Sequence, residues 1–121
     1  MPAIGSYVYS YAASYKSDLT RFSDLLLSPV KLTLREASND FDEEIKSYIE
    51  TCAEDLHNAG VKVSFFNPSG DSWKCDPQIL QAVRWYCLSV YGLYNADSEK
   101  YAKSYGSLKA TICTQIKYTG D

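Results

Sequence analysis

The sequence predicts a mainly α-helical fold: a small bundle of three main helices plus a short N-terminal helix, with a short strand or hairpin between the first two main helices. Three stretches repeat apolar residues at steps of three and four, which is the period of an amphipathic helix. Residues that cap or stop helices flank these stretches. The length of 121 residues suits one domain that can bury its own core.

The first main helix carries most of the acidic charge. Asp40 followed by Glu43 resembles a capping box ahead of it, and Gly60 supplies a stop after it. Its apolar stripe consists of Phe41, Ile45, Tyr48, Ile49, Cys52, Ala53 and Leu56. Residues 36–58 carry eight acidic side chains and one basic one, a net charge of −7, whereas the whole chain is −3. The acid is therefore concentrated on one element.

Two further helices follow. Asp76 before Pro77 is a helix-start signal, and the helix it opens is predicted to run to about Leu93 or Tyr94. The last helix is predicted to begin near Asp97 or Ser98. Its apolar stripe consists of Tyr101, Tyr105, Leu108, Ile112 and Ile116.

The remaining segments suggest short elements. Val61, Val63 and Phe65 alternate with other residues before an Asn-Pro-Ser-Gly turn, which favours a strand or hairpin. Tyrosines alternate in strand fashion over residues 7–11. A short helix is predicted from Ser17 to Leu27, with Pro29 ending it.

Composition disfavours several functional classes. A chain with 12 basic and 15 acidic residues has no overall positive field for a nucleic acid. His57 is the single histidine and thus the single imidazole that could serve as a base in acid–base or triad catalysis. The favoured interpretation is that His57 is a solvated residue at the negative end of a helix. Neither an EF-hand nor a phosphate-binding glycine motif is present. We therefore expect no enzyme, no catalytic residues, no metal site and no cofactor.

The cysteines and the apolar runs indicate a protein of the cytosol, or of a particle assembled there. Cys52, Cys75, Cys87 and Cys113 form no Cys-x-x-Cys pair and are interpreted as reduced, buried thiols, with one disulfide pair as the alternative. The first residues lack the features of a secretory signal, and the longest aliphatic run is Leu25 to Leu27, so no membrane association is expected.

The order of several short motifs resembles the phage head–tail connector family, whose members include head-completion and DNA-packaging adaptors. The first group is Val30-Lys31-Leu32-x-Leu34-Arg35, Asn39-Asp40-Phe41-Asp42-Glu43-Glu44-Ile45, Ala53-Glu54-Asp55-Leu56 and Ala59-Gly60-Val61. The second group is Asp76-Pro77-x-Ile79-x-Gln81-Ala82-Val83, Tyr86, Gly92 and Glu99-Lys100-Tyr101-x-Lys103-Ser104-Tyr105-x-Ser107-Leu108-Lys109. The resemblance covers about residues 29–118. It implies a helical adaptor domain there. The start of the sequence departs from the family pattern, because family members commonly begin near the segment matched by Val30, so residues 1–28 are interpreted as a tyrosine-rich N-terminal extension and residues 119–121 as a C-terminal tail.

The resemblance implies a structural role in the virion. Such proteins assemble as homo-oligomeric rings, typically dodecameric, beneath the portal protein, extend the DNA channel and dock the next connector (stopper) or tail protein. DNA would pass through without sequence-specific binding, during packaging and genome ejection. The implied location is the capsid–tail neck, with assembly in the host bacterial cytoplasm. The alternative function is a small cytosolic helical protein-binding module or regulator; a small hydrolase using His57 and a cysteine ranks third.

Two groups of residues are the candidate sites. The acidic candidates, Glu43, Glu44, Glu50 and Glu54, would face the channel and repel DNA phosphates. An ordinary solvated helix face is the alternative. The partner-binding candidates are Tyr7, Tyr9, Tyr11, Tyr15, Lys117 and Tyr118. The N-terminal tyrosines would form an arm on an adjacent subunit, or else pack on their own domain.

Overall fold

The structure is a computed structural model that describes the backbone of residues 2–70, 72–91 and 96–120, and side chains in those ranges from residue 16 onward. The described residues form helices and connecting segments, with no strand among them. In chain order the elements are α1 (Pro2–Leu34), α2 (Asp42–Asn58), a 3₁₀ turn (Val63–Phe66), α3 (Pro77–Val90), α4 (Ser98–Cys113) and α5 (Ile116–Thr119).

The helices share one hydrophobic core. α3 lies at its centre, packed against α1, α2 and α4, while α1 also packs along α2. The helical spacing predicted for α2 is confirmed, because five of its stripe residues are buried: Ile45, Ile49, Cys52, Ala53 and Leu56. From α1 the core receives Leu19, Phe22, Leu26 and Val30. Residues 19–26 of the predicted extension are therefore packed into the domain.

The predicted hairpin between the first two main helices is wrong. Val63–Phe66 form a 3₁₀ turn, and the preceding Lys62 bonds through its backbone N–H to the Tyr118 carbonyl, 2.8 Å away. Phe66 is buried, with its ring edge-on to Phe22 at 5.4 Å between centroids. Burial alternates from Val61 to Phe65 as predicted, but Phe66 is buried directly after Phe65 and no described residues form a strand, so the buried Phe66 and the bond to Tyr118 accompany a turn instead.

The N-terminal region also differs from its prediction. The strand-like alternation of tyrosines and the helix of Ser17 to Leu27 are both replaced by one helix, α1, of 33 residues. Pro29 lies inside this helix instead of ending it. Proline removes one helical hydrogen bond, but Leu26 and Val30 on either side of it are buried. Packing of these residues outweighs the loss, so the helix continues to Leu34.

The helix ends follow their predicted signals in part. Gly60, with φ of +115°, ends α2 in a Schellman motif: its N–H bonds to the His57 carbonyl, and the Val61 N–H bonds to the Leu56 carbonyl. The Asp40 capping box is wrong, because α2 has no side-chain hydrogen bond at its N-terminus. The Asp76 cap of α3 is confirmed. That helix ends at Val90, and residues 92–95, where a longer end was predicted, lie outside the described part of the chain.

α4 begins at Ser98, as predicted, and most of its stripe packs inward. Tyr105 and Ile112 are buried, and the Tyr105 ring stands edge-on to Tyr86 of α3 at 5.3 Å. Ile116, the last residue of the predicted stripe, lies instead in α5 and is 77% exposed. The helix is interrupted at residues 114–115, between α4 and α5, so the helical spacing of the stripe does not extend to Ile116.

Candidate functional site

The acidic candidates lie along α2, opposite its buried stripe. Glu43, Glu44 and Glu54 are exposed, and Tyr48 donates a hydrogen bond of 2.8 Å to Glu44. Glu50 differs from them. It is half-buried and accepts a hydrogen bond of 2.7 Å from the hydroxyl of buried Ser23 on α1. Three of the four predicted carboxylates therefore face outward, and the fourth belongs to the contact between α1 and α2.

Lysines on three helices reduce the charge of the acidic segment. Lys31 of α1 lies 2.8 Å from Asp42, and Lys109 of α4 lies 2.9 Å from Asp55. Lys46 of α2 lies 3.0 Å from Asp24 of α1 and 3.6 Å from Glu43. The hydrogen bond to Asp24 raises the pKa of Lys46. The net −7 counted along the sequence is thus partly balanced: within α2, Asp42, Glu43 and Asp55 pair with lysines, whereas the exposed Glu44 and Glu54 lie outside these ion pairs.

A polar cluster joins α2 to α4. Asp55 accepts hydrogen bonds from the Tyr105 hydroxyl, at 2.5 Å, and from the Lys109 ammonium, at 2.9 Å. Desolvation alone would raise the pKa of Asp55, but the bonds from Tyr105 and Lys109 outweigh it and lower that pKa. Burial raises the pKa of Tyr105. The cluster holds two helices together, and sequence reasoning missed it because the three residues are far apart in the chain.

The C-terminal candidates are placed in different environments. Tyr118 is buried, and its hydroxyl donates to Asp76 at 2.8 Å. Lys117 is exposed and lies 3.1 Å from the other oxygen of Asp76. Asp76 also caps α3 by accepting from the N–H groups of Gln78 and Ile79. The end of the chain is therefore fastened to the start of α3, and Lys117 is the member of the predicted pair that reaches the surface.

Two sets of residues remain: the N-terminal tyrosines of the predicted arm, and His57, the residue considered for catalysis. Tyr7, Tyr9, Tyr11 and Tyr15 lie on α1, but their side chains fall outside the described part of the chain. His57 is half-buried, and its Nδ1 donates to the Val61 carbonyl at 3.0 Å. The imidazole therefore holds the end of α2.

The thiols are free and mostly withdrawn from solvent. Cys52 and Cys87 are buried, while Cys75 and Cys113 are half-buried. Burial raises the pKa of Cys87 and that of Cys75 to about 12 each. At neutral pH these thiols are protonated and poor nucleophiles.

A groove lies where α1 ends and α2 begins. Its volume is about 610 Å³, and its walls include Leu27, Leu32 and Ala37 together with Lys31 and Arg35. Leu32 is 78% exposed beside it. Sequence reasoning missed this groove, since it depends on α1 continuing past Pro29 to bring Leu32 against the loop before α2.

Fold and surfaces together define a small all-helical protein whose distinctive features are an acidic helix face, a fastened C-terminus and a groove. Among the described residues, no group of three or more His, Cys, Asp or Glu side chains could hold a metal ion. No helix in the described part of the chain combines the length and apolar character needed to cross a membrane.

The family model described as "phage connector protein" matches residues 26–119, from the second half of α1 through α5. The chain belongs to this family, so the resemblance found over residues 29–118 is confirmed. The protein is a phage head–tail connector and thereby a component of the virion. No curated protein and no solved structure matches the chain.

Proposed function

We propose that the protein forms a homo-oligomeric ring between the portal protein and the next connector or tail component, with twelve copies, as the family resemblance implies. The observation that carries the proposal is the family match over residues 26–119, which takes in the hydrophobic core apart from Leu19 and Phe22. A ring continues the portal channel and offers a second docking surface below it. The adaptor domain in this proposal consists of residues 29–118 together with the part of α1 from Leu19 onward, which packs into the same core.

The exposed face of α2 lines the channel in this proposal. Glu43, Glu44 and Glu54 point away from the core, and ring symmetry repeats them around the lumen. Carboxylates facing duplex phosphates repel them over about 8 Å at physiological ionic strength. DNA would then slide through without adhering. Glu50 supports this face from its edge, held by Ser23.

The exposed Lys117 and the residues after it are proposed to contact the portal. Lys117 keeps most of its side chain in solvent while Asp76 holds it in place, so its charge is presented at a defined position. Tyr118 contributes indirectly, because its burial fixes the tail on α3.

Ring formation is tested by adding the purified protein to DNA-filled heads that carry portal but lack this component. After gradient purification, quantitative mass spectrometry gives the copies per portal, and imaging of the neck gives their arrangement. We expect a fixed stoichiometry, with symmetric density directly below the portal and α2 toward the lumen. Binding of single copies, or no co-purification with portal-bearing heads, would contradict the ring.

A further inference from the structure

The groove at the end of α1 has the character of a binding surface for an uncharged segment. Each of its carboxylates already has a partner within the protein: Asp24 pairs with Lys46, Asp42 with Lys31, and Glu36 accepts from the Tyr91 hydroxyl. A charged occupant would have to compete with these bonds, whereas an uncharged one leaves the three carboxylates with their partners. Exposed Leu32 adds apolar surface at the edge.

The first 15 residues of the chain have the matching chemistry. They contain no charged side chain and include four tyrosines. Within the continuous helix α1, Ile4, Val8, Tyr11 and Tyr15 continue the three- and four-residue spacing of the buried residues Leu19, Phe22 and Leu26. The sequence therefore extends one apolar stripe along α1 to its N-terminal end.

This segment cannot reach the groove of its own chain. Both lie on α1, and at 1.5 Å per residue Tyr9 and Leu32 are about 35 Å apart along that helix. A segment of 14 helical residues is about 21 Å long, and the side of the groove from Asp24 to Arg35 is about 17 Å long. The lengths match, but the occupant has to come from a second copy.

We propose that residues 2–15 of one copy dock in the groove between α1 and α2 of the neighbouring copy. Tyrosine rings would pack on Leu27 and Leu32 and lie near the Arg35 guanidinium, a favourable partner for an aromatic face. The two surfaces are unlike, so the contact is head-to-tail and repeats around a closed ring. The inference rests on the proposed ring and names the contact that closes it.

A photo-cross-linking experiment locates the segment. The full-length protein carries p-benzoylphenylalanine in place of Tyr11, and equal amounts of ¹⁴N- and ¹⁵N-labelled protein are assembled on portal-bearing heads. We expect cross-links between differently labelled copies that map to residues 24–42. Cross-links to the portal, within one copy, or to another surface of the neighbour would overturn the proposal.

A matched pair of substitutions tests the groove itself. Leu32→Asp places an unpaired carboxylate beside the docked segment and is expected to lower the cross-link yield at least about tenfold. Ile116→Asp is the control, because Ile116 is 77% exposed and Leu32 is 78% exposed. The control is expected to keep the wild-type yield. Equal yields from the two variants would overturn the proposal.

Mixing two defective copies guards against misfolding of one. A Leu32→Asp copy that carries the photoreactive group at position 11 keeps its segment, and a Tyr11→Asp copy keeps its groove. We expect the cross-link to return when they are mixed, and its absence would count against the docking.

If wild-type rings form without the groove cross-link, this inference fails and the ring stands. If wild-type protein forms no ring, the proposed function fails, and this inference with it.

Discussion

Asp76 performs three tasks with one carboxylate. It caps α3, accepts a hydrogen bond from the hydroxyl of buried Tyr118 and forms a salt bridge with the ammonium of Lys117. Its place before Pro77 is enough to predict the cap, because capping depends on neighbours in sequence. The other two contacts cross 42 and 41 positions of the chain, and no local pattern predicts them.

Acid should weaken the fold through Asp76. Desolvation raises the pKa of Asp76, but the hydrogen bonds from Tyr118 and Lys117 and from the α3 backbone outweigh it and lower that pKa. A lowered folded-state pKa stabilises above the unfolded value, near 3.9, and this stability is lost as pH falls through the folded value. We expect Asp76→Asn to cost about 1–2 kcal/mol at pH 7 and to flatten the loss of stability below about pH 4. Urea unfolding at pH 7 and pH 3 measures both.

Two further variants sharpen this test. Tyr118→Phe removes one hydrogen bond and should cost about 1 kcal/mol at pH 7. Asp40→Asn makes the same chemical change in the exposed loop before α2; it is the control and should keep the wild-type free energy of unfolding at pH 7. An Asp76→Asn protein with the full wild-type acid response would show that this carboxylate has no part in it.

At the scale of whole elements, the position at which a helix ends depends on a balance between local sequence signals and the burial of nearby side chains. Gly60 ends α2 because the left-handed turn and the hydrogen bonds of a Schellman motif agree with the burial of Val61. At Pro29 the local signal and burial oppose each other, and burial prevails. Among the residues that the structure describes, no strand lies beside the strand-like segment after Gly60, so its apolar residues pack as part of a turn.

A pair of glycine substitutions separates these effects. Gly60→Ala should destabilise by about 1–2 kcal/mol, since φ of +115° is strained for a side chain although the nearest atom to the new Cβ is 3.8 Å away. Gly106→Ala, inside α4 with no atom within 4 Å of the new Cβ, should stabilise by about 0.5–1 kcal/mol. Urea denaturation with an unchanged m-value measures both. The same sign for the two variants would refute the conformational explanation.

At the scale of the whole molecule, one exposed helix face, that of α2, carries several acidic side chains. Lysines from α1 and α4 pair with Asp42 and Asp55, and Lys46 pairs with Glu43, so Glu44 and Glu54 are the exposed glutamates of α2 outside these ion pairs. A ring would concentrate this charge, because every copy contributes the same face. For this reason we propose that the exposed face of α2 lines the channel through which DNA passes.

Charge reversal tests the channel face. Glu54→Lys and Glu43→Lys should reduce genome retention or ejection by about tenfold or more, because attraction to phosphate replaces repulsion, while rings assemble normally. Glu99→Lys makes the same charge change at an exposed position of α4 and is the control. DNA release from purified particles and neck imaging are the measurements. Normal release in the α2 variants would exclude a channel role for this face.

The sequence by itself determined the helical class, the positions of α2, α3 and α4, the concentration of acid on α2 and membership of the connector family. These properties depend on residue spacing and motif order, which are local or additive along the chain. Tertiary structure alone decided that α1 continues through Pro29, that the predicted hairpin is a 3₁₀ turn, that Tyr118 is buried and that Glu50 turns toward Ser23. Each of these depends on a partner far away in sequence, and the free energy of burying that partner competes with the local preference.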